Sequence, residues 1–239
     1  MKLPTIQGII RRRLLINFRV QPAVMQAQLP SRFRPKLHGG FAIAGICLIR
    51  LEEIRPRLLP PFLGISSENG AHRVAVHWDA DGQQQEGVYI SRRDTSSLAN
   101  HLAGGRVFPG EHHHADFDVK DDGDLIELAM HARDGVKVEV RARNASHLPA
   151  SSVFKSLDEA SAYFAGGAVG YSVTSDDDRL DGIKLETQTW KISALNIERV
   201  RSTYFEDVTR YPKGSVEFDC GLLMRDVEHE WHSQPDLAI

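Results

Sequence analysis

The sequence has no hydrophobic run long enough to cross a membrane. Its longest apolar stretches, such as residues 41–51, fall far short of the roughly 20 residues that a spanning helix needs. The first ten residues contain no apolar core of a secretory signal, and the run Arg11-Arg12-Arg13 follows them directly. We therefore expect a cytoplasmic protein with no membrane partner.

Positive charge is scarce for a protein that binds nucleic acid. The chain has 29 Lys and Arg against 32 Asp and Glu, and its formal net charge is −3. Domains that contact phosphate backbones normally carry a basic surplus. Nucleic acid is therefore not an expected partner.

Cysteine is rare as well. Cys47 and Cys220 both lie in apolar, strand-like runs. They could form a disulfide or a redox pair, or they could be two buried small side chains. We favour burial because no secretory signal is evident. A chain of 239 residues can bury a core without disulfides.

Several motifs and boundaries are also missing from the sequence. It contains no Gly-x-Gly-x-x-Gly, no Gly-x-x-x-x-Gly-Lys and no nucleophile-elbow pattern. We therefore expect no cofactor. No linker or internal repeat divides the chain, which predicts a single domain over residues 1–239.

Strand signals dominate the rest of the sequence. Apolar or alternating segments predict strands at 14–20, 41–51, 72–78, 87–91, 111–120, 125–133, 136–143, 168–174, 183–192, 195–201 and 215–224. Short helices are predicted at 22–28, 96–103 and 157–165, the last with a capping box formed by Ser156 and Glu159. Since strands and helices do not alternate regularly, the pattern favours a mainly β (α+β) fold, a closed β-barrel with a few short peripheral helices.

One polar cluster comprises His112, His113, His114 and Asp116. On a strand, His112, His114 and Asp116 share a face and could hold zinc or iron. Consecutive positions of one strand seldom surround a metal, so packing or a polar pocket wall is the favoured role for one of the histidines. No metal site is predicted.

Four segments carry a resemblance to a known family. They are RRRLLINFRVQPAVMQAQLP at 11–30, SSENGAHRVAV at 66–76, GVYISRRD at 87–94, and residues 151–232 with SLDEASAYFAGGAVGYS and GSVEFDCGLLMRDVEHEWH. Together they resemble the acetoacetate decarboxylase superfamily, and most closely its uncharacterised YqjF-like branch, a domain of unknown function. The resemblance implies an acetoacetate decarboxylase-like barrel and a homo-oligomer.

The sequence departs from the decarboxylase at the third segment. In the decarboxylase this strand end carries two adjacent lysines, the first of which forms a Schiff base with the ketone. Here Arg92 and Arg93 stand at the matching positions. A guanidinium stays protonated and has no nucleophilic amine, so it cannot form an iminium. The resemblance therefore implies a protein that is not a conventional decarboxylase.

Carried over by position, Arg11, Glu68, Arg92 and Arg93 would lie at or beside the family's pocket. Adjacent strand residues point to opposite faces, so only one of the last two should enter, and we expect Arg92. A net surplus of about one positive charge suits a small oxo-acid or a related carboxylate or carbonyl ligand. The alternative is a buried Arg–Glu pair that only fixes the structure. Arg12 and Arg13 are expected at a solvated strand end.

Two functions remain open at this point. The first is a lyase or isomerase in which Glu68 and Arg92 are catalytic, Glu68 as the acid–base group, and Arg11, Arg92 and Arg93 bind the substrate and stabilise an enolate. The second is a non-catalytic small-ligand binder or sensor. A metal-dependent enzyme is a distant third.

Overall fold

The structure is a computed structural model that describes residues 4–98, 110–174 and 178–238, most of them in one extended sheet. Its strands are β1 (Ile6–Val20), β2 (Arg34–Pro35), β3 (Leu37–His38), β4 (Phe41–Pro56), β5 (Ile65–Ala80), β6 (Gln83–Thr95), β7 (His112–Asp121), β8 (Leu125–Ala132), β9 (Lys137–Ala145), β10 (Val169–Val173), β11 (Arg179–Thr187), β12 (Ser193–Ser202) and β13 (Val216–Ala238). The helices are α1 (Pro22–Gln26) and α2 (Leu157–Ala165), with 3-10 turns at Pro61–Leu63 and Gly166–Ala168. Within these ranges, no helix has the length and apolar character needed to span a bilayer.

Strand pairing closes this sheet on itself twice. One ring runs β6-β7-β8-β9-β12-β13-β1-β4-β5 and closes where β5 pairs with β6. The other runs β11-β10-β6-β5-β4-β1-β13 and closes where β11 pairs with β13. Strands β6, β5, β4, β1 and β13 belong to both rings, and we call them the shared wall. The predicted mainly β fold with a few short helices is confirmed, and closure leaves few free edges.

A hydrophobic core covers each face of the shared wall, because successive side chains of a strand point to opposite faces. Leu14 belongs to the first core, together with Ile126 of β8. Leu15 and Cys47 belong to the second core, together with Phe164 of α2. Burial on both faces explains why residues 41–51 read as a continuous apolar run instead of an alternating one.

Two of the β-bulges in the shared wall determine which faces its arginines occupy. Arg11 is an inserted residue of β1 relative to β4, since the pairing skips it. Ser91 is inserted in β6 relative to β5 in the same way. An inserted residue reverses the face that all later side chains of the strand occupy. These bulges therefore decide which charged residues are buried in which core.

Several strands are longer than the sequence predicts. Strand β1 begins at Ile6 and β13 extends to Ala238, and both additions pair with neighbouring strands although they carry few apolar residues. Strand β11 ends at Thr187, so the predicted continuation of that strand to residue 192 is wrong. The helix predicted at 96–103 falls mostly outside the described residues.

Helix α2 begins as its sequence predicts. Ser156 Oγ accepts a hydrogen bond from the backbone N–H of Glu159 at 3.1 Å. The Glu159 carboxylate accepts from the N–H of Lys155 at 2.6 Å, one residue before the position of an ideal capping box. The helix then lays Phe164 over the guanidinium of Arg73, 5.1 Å from the ring centre. The helix cap therefore helps to position Phe164, which packs in the second core.

Replacing the cap tests this account of the helix. Ser156→Ala removes the acceptor for the Glu159 N–H, and we expect the free energy of unfolding to fall by about 1 kcal/mol in urea denaturation. Ser151→Ala, at an exposed position before the helix, should change it by less than about 0.5 kcal/mol. Equal losses in the two variants would contradict the capping role.

Candidate arginine pocket

A cavity of about 110 Å³ lies between the shared wall and strands β10 and β11. Apolar side chains form much of its wall, including Ile90, Ile183, Leu185 and Trp231. Its polar and ionisable members include Arg13, Cys47, Asn69, Arg73, Arg93 and His112. We call this cavity the arginine pocket.

Neighbouring strands of the shared wall place the pocket's key groups side by side. Cys47, Ala71 and Arg93 stand opposite one another on β4, β5 and β6. Arg73 lies two residues after Ala71 and therefore on the same face. Arg13 approaches from β1, the neighbour of β4. Three guanidinium groups thus converge on one small space.

The bulge at Ser91 selects which of two adjacent arginines faces this space. Ile90 lines the pocket, and uninterrupted alternation would place Arg92 beside it. Because Ser91 is inserted, Arg93 faces the pocket and Arg92 faces the other side of the wall. The structure therefore places Arg93, and not the expected Arg92, at the pocket.

The bulge at Arg11 has the same effect on β1. Ile10 before the bulge and Arg13 after it both line the pocket. Arg11 itself is exposed and pairs with Glu52 at 2.9 Å and with Asp226 at 2.6 Å. The structure therefore places Arg13 in the pocket and leaves the predicted Arg11 outside it.

Arg93 forms no ion pair with a carboxylate of the described residues, although the negative charge of Asp181 acts on it from nearby. Its Nε donates to Ser172 Oγ at 3.0 Å, which satisfies one donor but supplies no charge. Burial lowers the pKa of Arg93 to about 10, because the charged form is poorly solvated there. At neutral pH the group remains protonated, so it contributes a full positive charge to the pocket.

Arg73 and Arg13 likewise make no ion pair within the described part of the chain. Arg73 is 4% exposed and donates to Cys47 Sγ at 2.9 Å and to Asn17 Oδ1 at 2.7 Å. Arg13 reaches Cys47 Sγ at 3.7 Å. The Nη1 of Arg73 and the Nε of Arg13 are buried and have no hydrogen-bond partner among the described residues. These donors are available to an acceptor that enters the pocket.

Arg92, by contrast, forms ion pairs with two carboxylates. It donates to Asp94 at 2.6 Å and to Asp134 at 2.6 Å. Burial disfavours its charge, but the hydrogen bonds that it donates to these carboxylates raise the pKa of Arg92 above its ordinary value. Asp94 also borders the pocket, and Arg92 neutralises its charge. The positive charge of the pocket therefore comes from its own three arginines.

Glu68 lies on the opposite face of the shared wall from the arginine pocket. Its carboxylate accepts from Arg12 at 2.7 Å, and both side chains are largely buried. Burial raises the pKa of Glu68, although the charge of Arg12 opposes the shift. The interpretation as a buried Arg–Glu pair fits this geometry, with Arg12 as the partner. Arg12 was expected in solvent, and its burial at 5% exposure corrects that expectation.

One histidine of the His-rich cluster lines the pocket. His112 Nδ1 lies 3.0 Å from the carbonyl of Gly110, and a carbonyl can only accept, so this nitrogen carries the proton. The expected polar wall position for one of the three histidines fits His112. Among the described residues, no group of three or more possible metal ligands converges.

Sequence reasoning missed Arg73, Arg13 and Cys47 as pocket residues. A signal existed for Arg73, because Val74, Val76 and Trp78 occupy one face of β5 and leave Arg73 on the other. That face is also buried, which alternation alone does not reveal. No local signal exists for Arg13, because the bulge that turns it inward depends on pairing with β4.

A second depression is larger but has the opposite electrostatic character. It measures about 380 Å³ and is more open to solvent. Its lining includes Glu53, Glu186, Glu228 and Glu230. Carboxylates in this number repel an anion, so the arginine pocket is the better candidate for an acidic ligand.

Comparison with known proteins identifies the family and the fold of the chain. A family model matches residues 9–215, that of DUF2071, described as "Uncharacterized conserved protein (COG2071)". No curated protein matches the sequence.

Solved structures share the architecture at low sequence identity. Acetoacetate decarboxylase from Legionella pneumophila superposes with a TM-score of 0.63 at 12% identity, over 98% of this chain and 88% of that chain. An acetoacetate decarboxylase-like enzyme from Sphingomonas wittichii RW1 gives 0.57 at 12% identity, over 98% and 92%. The enduracididine biosynthesis enzyme MppR, complexed with pyruvate, gives 0.56 at 11% identity, over 100% and 91%. At these identities the likeness establishes the fold alone. The chain belongs to the DUF2071 family and has the acetoacetate decarboxylase-like fold.

Proposed function

We propose that the arginine pocket binds a small oxo-acid or a related carboxylate. The observation that carries this proposal is the convergence on one pocket of Arg73, which is buried, and Arg13 and Arg93, which are partly buried; none of them forms an ion pair with a carboxylate of the described residues. A buried charge without a counter-charge costs several kcal/mol. An anionic ligand would supply that counter-charge and would accept the unused N–H groups.

The size and lining of the pocket favour a short acid. A volume of about 110 Å³ compares with about 30 Å³ for each molecule of liquid water, which leaves room for a carboxylate and a few carbons. Ile183, Leu185 and Trp231 would contact the carbon chain. The pyruvate bound to MppR, which shares this fold, supports an oxo-acid over other anions.

The proposal assigns arginine a role different from that of a Schiff-base lysine. Arg93 cannot form an iminium, but it can bind a carboxylate bidentately or stabilise an enolate. We therefore propose that no conventional decarboxylation occurs. Since Glu68 lies across the wall, His112 is better placed than Glu68 for any proton transfer in the pocket.

Loss of one pocket arginine should weaken binding of pyruvate. We expect Arg93→Met to raise the dissociation constant by about 10- to 100-fold, because a charge-assisted hydrogen bond is worth about 1.5–3 kcal/mol. Isothermal titration calorimetry measures this directly. Arg11→Met, which removes an exposed arginine outside the pocket, is the matched control and should leave the affinity unchanged. Failure of the unaltered protein to bind pyruvate, acetoacetate or 2-oxobutanoate would refute the proposal.

Hydrogen exchange separates the catalytic form of the proposal from a simple binder. An enzyme that stabilises an enolate should exchange the methyl protons of pyruvate with deuterium from the solvent, as followed by NMR. We expect Glu68→Gln to retain this exchange and Arg93→Met to lose it. Binding without any exchange would favour the non-catalytic binder or sensor.

Stability should separate pocket arginines from structural ones. Arg12→Met leaves Glu68 buried without its partner and should lower the free energy of unfolding by about 3 kcal/mol. Arg93→Met removes a cation that forms no ion pair within residues 4–98, 110–174 and 178–238, so stability should stay the same or rise by about 1 kcal/mol. Chemical denaturation without ligand measures both. A large loss in Arg93→Met would show that Arg93 is structural.

A further inference from the structure

Cys47 borders the arginine pocket from β4, directly beside two guanidinium groups. The Nε of Arg73 donates to its Sγ at 2.9 Å, and the Nη2 of Arg13 lies 3.7 Å away. The thiol forms no disulfide and the residue is 3% exposed. Its sulfur is therefore within reach of a molecule that enters the pocket and shielded from larger ones.

A second observation at the same place points to a ligand. Arg73 is 4% exposed and lines the pocket, yet its Nη1 has no hydrogen-bond partner in the described ranges. The same is true of the buried Nε of Arg13. Donors of this kind beside a sulfur atom are suited to an oxygen that becomes negatively charged when the sulfur attacks.

The electrostatic surroundings favour the thiolate form of Cys47. Burial alone raises the pKa of this thiol, but the charges and hydrogen bonds of Arg73 and Arg13 outweigh burial, and the pKa lies below its ordinary value. Cys220 shows the opposite behaviour, since burial and the nearby Asp219 raise its pKa. The two cysteines of the chain should therefore differ strongly in reactivity.

We propose that Cys47 is a nucleophile that adds reversibly to the carbonyl carbon of an oxo-acid bound in the arginine pocket. This inference rests on the proposed function, because Arg93 would hold the carboxylate of the acid. Arg93 stands in the same cross-strand row as Cys47, two strands away, or about 10 Å between Cα atoms. The two side chains and a short acid together fill that span.

The step requires no oxidant or further reactant. The sulfur lone pair forms a C–S bond, and the π pair of the carbonyl moves to its oxygen. That oxygen takes up the proton that the thiol released to water, so the thiol and the ketone combine into a hemithioketal. Arg73 and Arg13 stabilise the charge on the oxygen before it is protonated. The adduct is covalent, as the Schiff base of a lysine enzyme is, but it provides no electron sink.

Two alkylating agents of different charge test the reactivity of the thiol. Ordinary thiols react faster with neutral iodoacetamide than with anionic iodoacetate, each reaction forming a C–S bond and releasing iodide. We expect Cys47 to prefer iodoacetate at least tenfold in the folded protein, as measured by peptide mass spectrometry, and pyruvate to slow the reaction. Cys220 is the internal control and should show no such preference. Arg93→Met should remove the preference of Cys47, and the absence of any preference in the unaltered protein would overturn the inference.

Carbon NMR with pyruvate labelled at its carbonyl carbon tests the adduct itself. The bound signal should move from the ketone region to the tetrahedral region, at a position different from that of pyruvate hydrate. Cys47→Ala should lose this signal but still bind pyruvate in calorimetry. If pyruvate binds and its carbon stays trigonal, the role of Cys47 is wrong and the proposed function stands. If pyruvate does not bind the unaltered protein, both fall.

Discussion

The convergence of three like-charged guanidinium groups on one small cavity, one of them buried and two partly buried, is the constraint on which the proposed function depends. Arg13, Arg73 and Arg93 repel one another, and the described residues offer them sulfur, amide and hydroxyl partners but no carboxylate. The free energy of folding has to offset that repulsion. Burial of apolar side chains in the two cores on the faces of the shared wall contributes the stability that does so. An anion that enters the pocket removes the cost, so ligand binding and stability are thermodynamically linked.

The shared wall also separates two kinds of arginine. On one face, Arg12 is neutralised by Glu68, and Arg92 by Asp94 and Asp134. On the other face lie their sequence neighbours, residues 13 and 93, for which the described parts of the chain provide no such partner. Each pair of adjacent arginines thus contributes one member to a structural ion pair and one to the pocket. A strand directs successive side chains to opposite faces, so the backbone of β1 and β6 is enough to separate the two arginines of each pair.

Much of the fold could be predicted from the sequence, because its signals are local. Helix α2 follows from its cap at Ser156, and the hairpins β7–β8 and β8–β9 turn at Gly123 and Gly135, both with positive φ. The resemblance to a known superfamily pointed to β6, where the structure places Arg93 rather than the expected Arg92 at the pocket. That choice depends on the insertion at Ser91, which only pairing with β5 reveals.

The placement of Glu68 failed for a related reason. Position along the chain identified its segment, but the face it occupies depends on the register between β4 and β5, where it stands opposite Arg50. Burial on both faces removes the usual contrast between polar and apolar sides, so the pattern of β5 does not show which face holds a pocket. Cys47 was predicted to be buried, and it is, but its contact with Arg73 joins strands that the sequence does not place together.

The most direct test is a crystal structure of the protein determined from crystals grown in the presence of pyruvate. We expect pyruvate to occupy the cavity beside Cys47, with its carboxylate within hydrogen-bonding distance of Arg93 and additional contacts to Arg13 or Arg73. A cavity that stays empty at saturating pyruvate, or one in which a carboxylate of the protein itself pairs with Arg93, would contradict it.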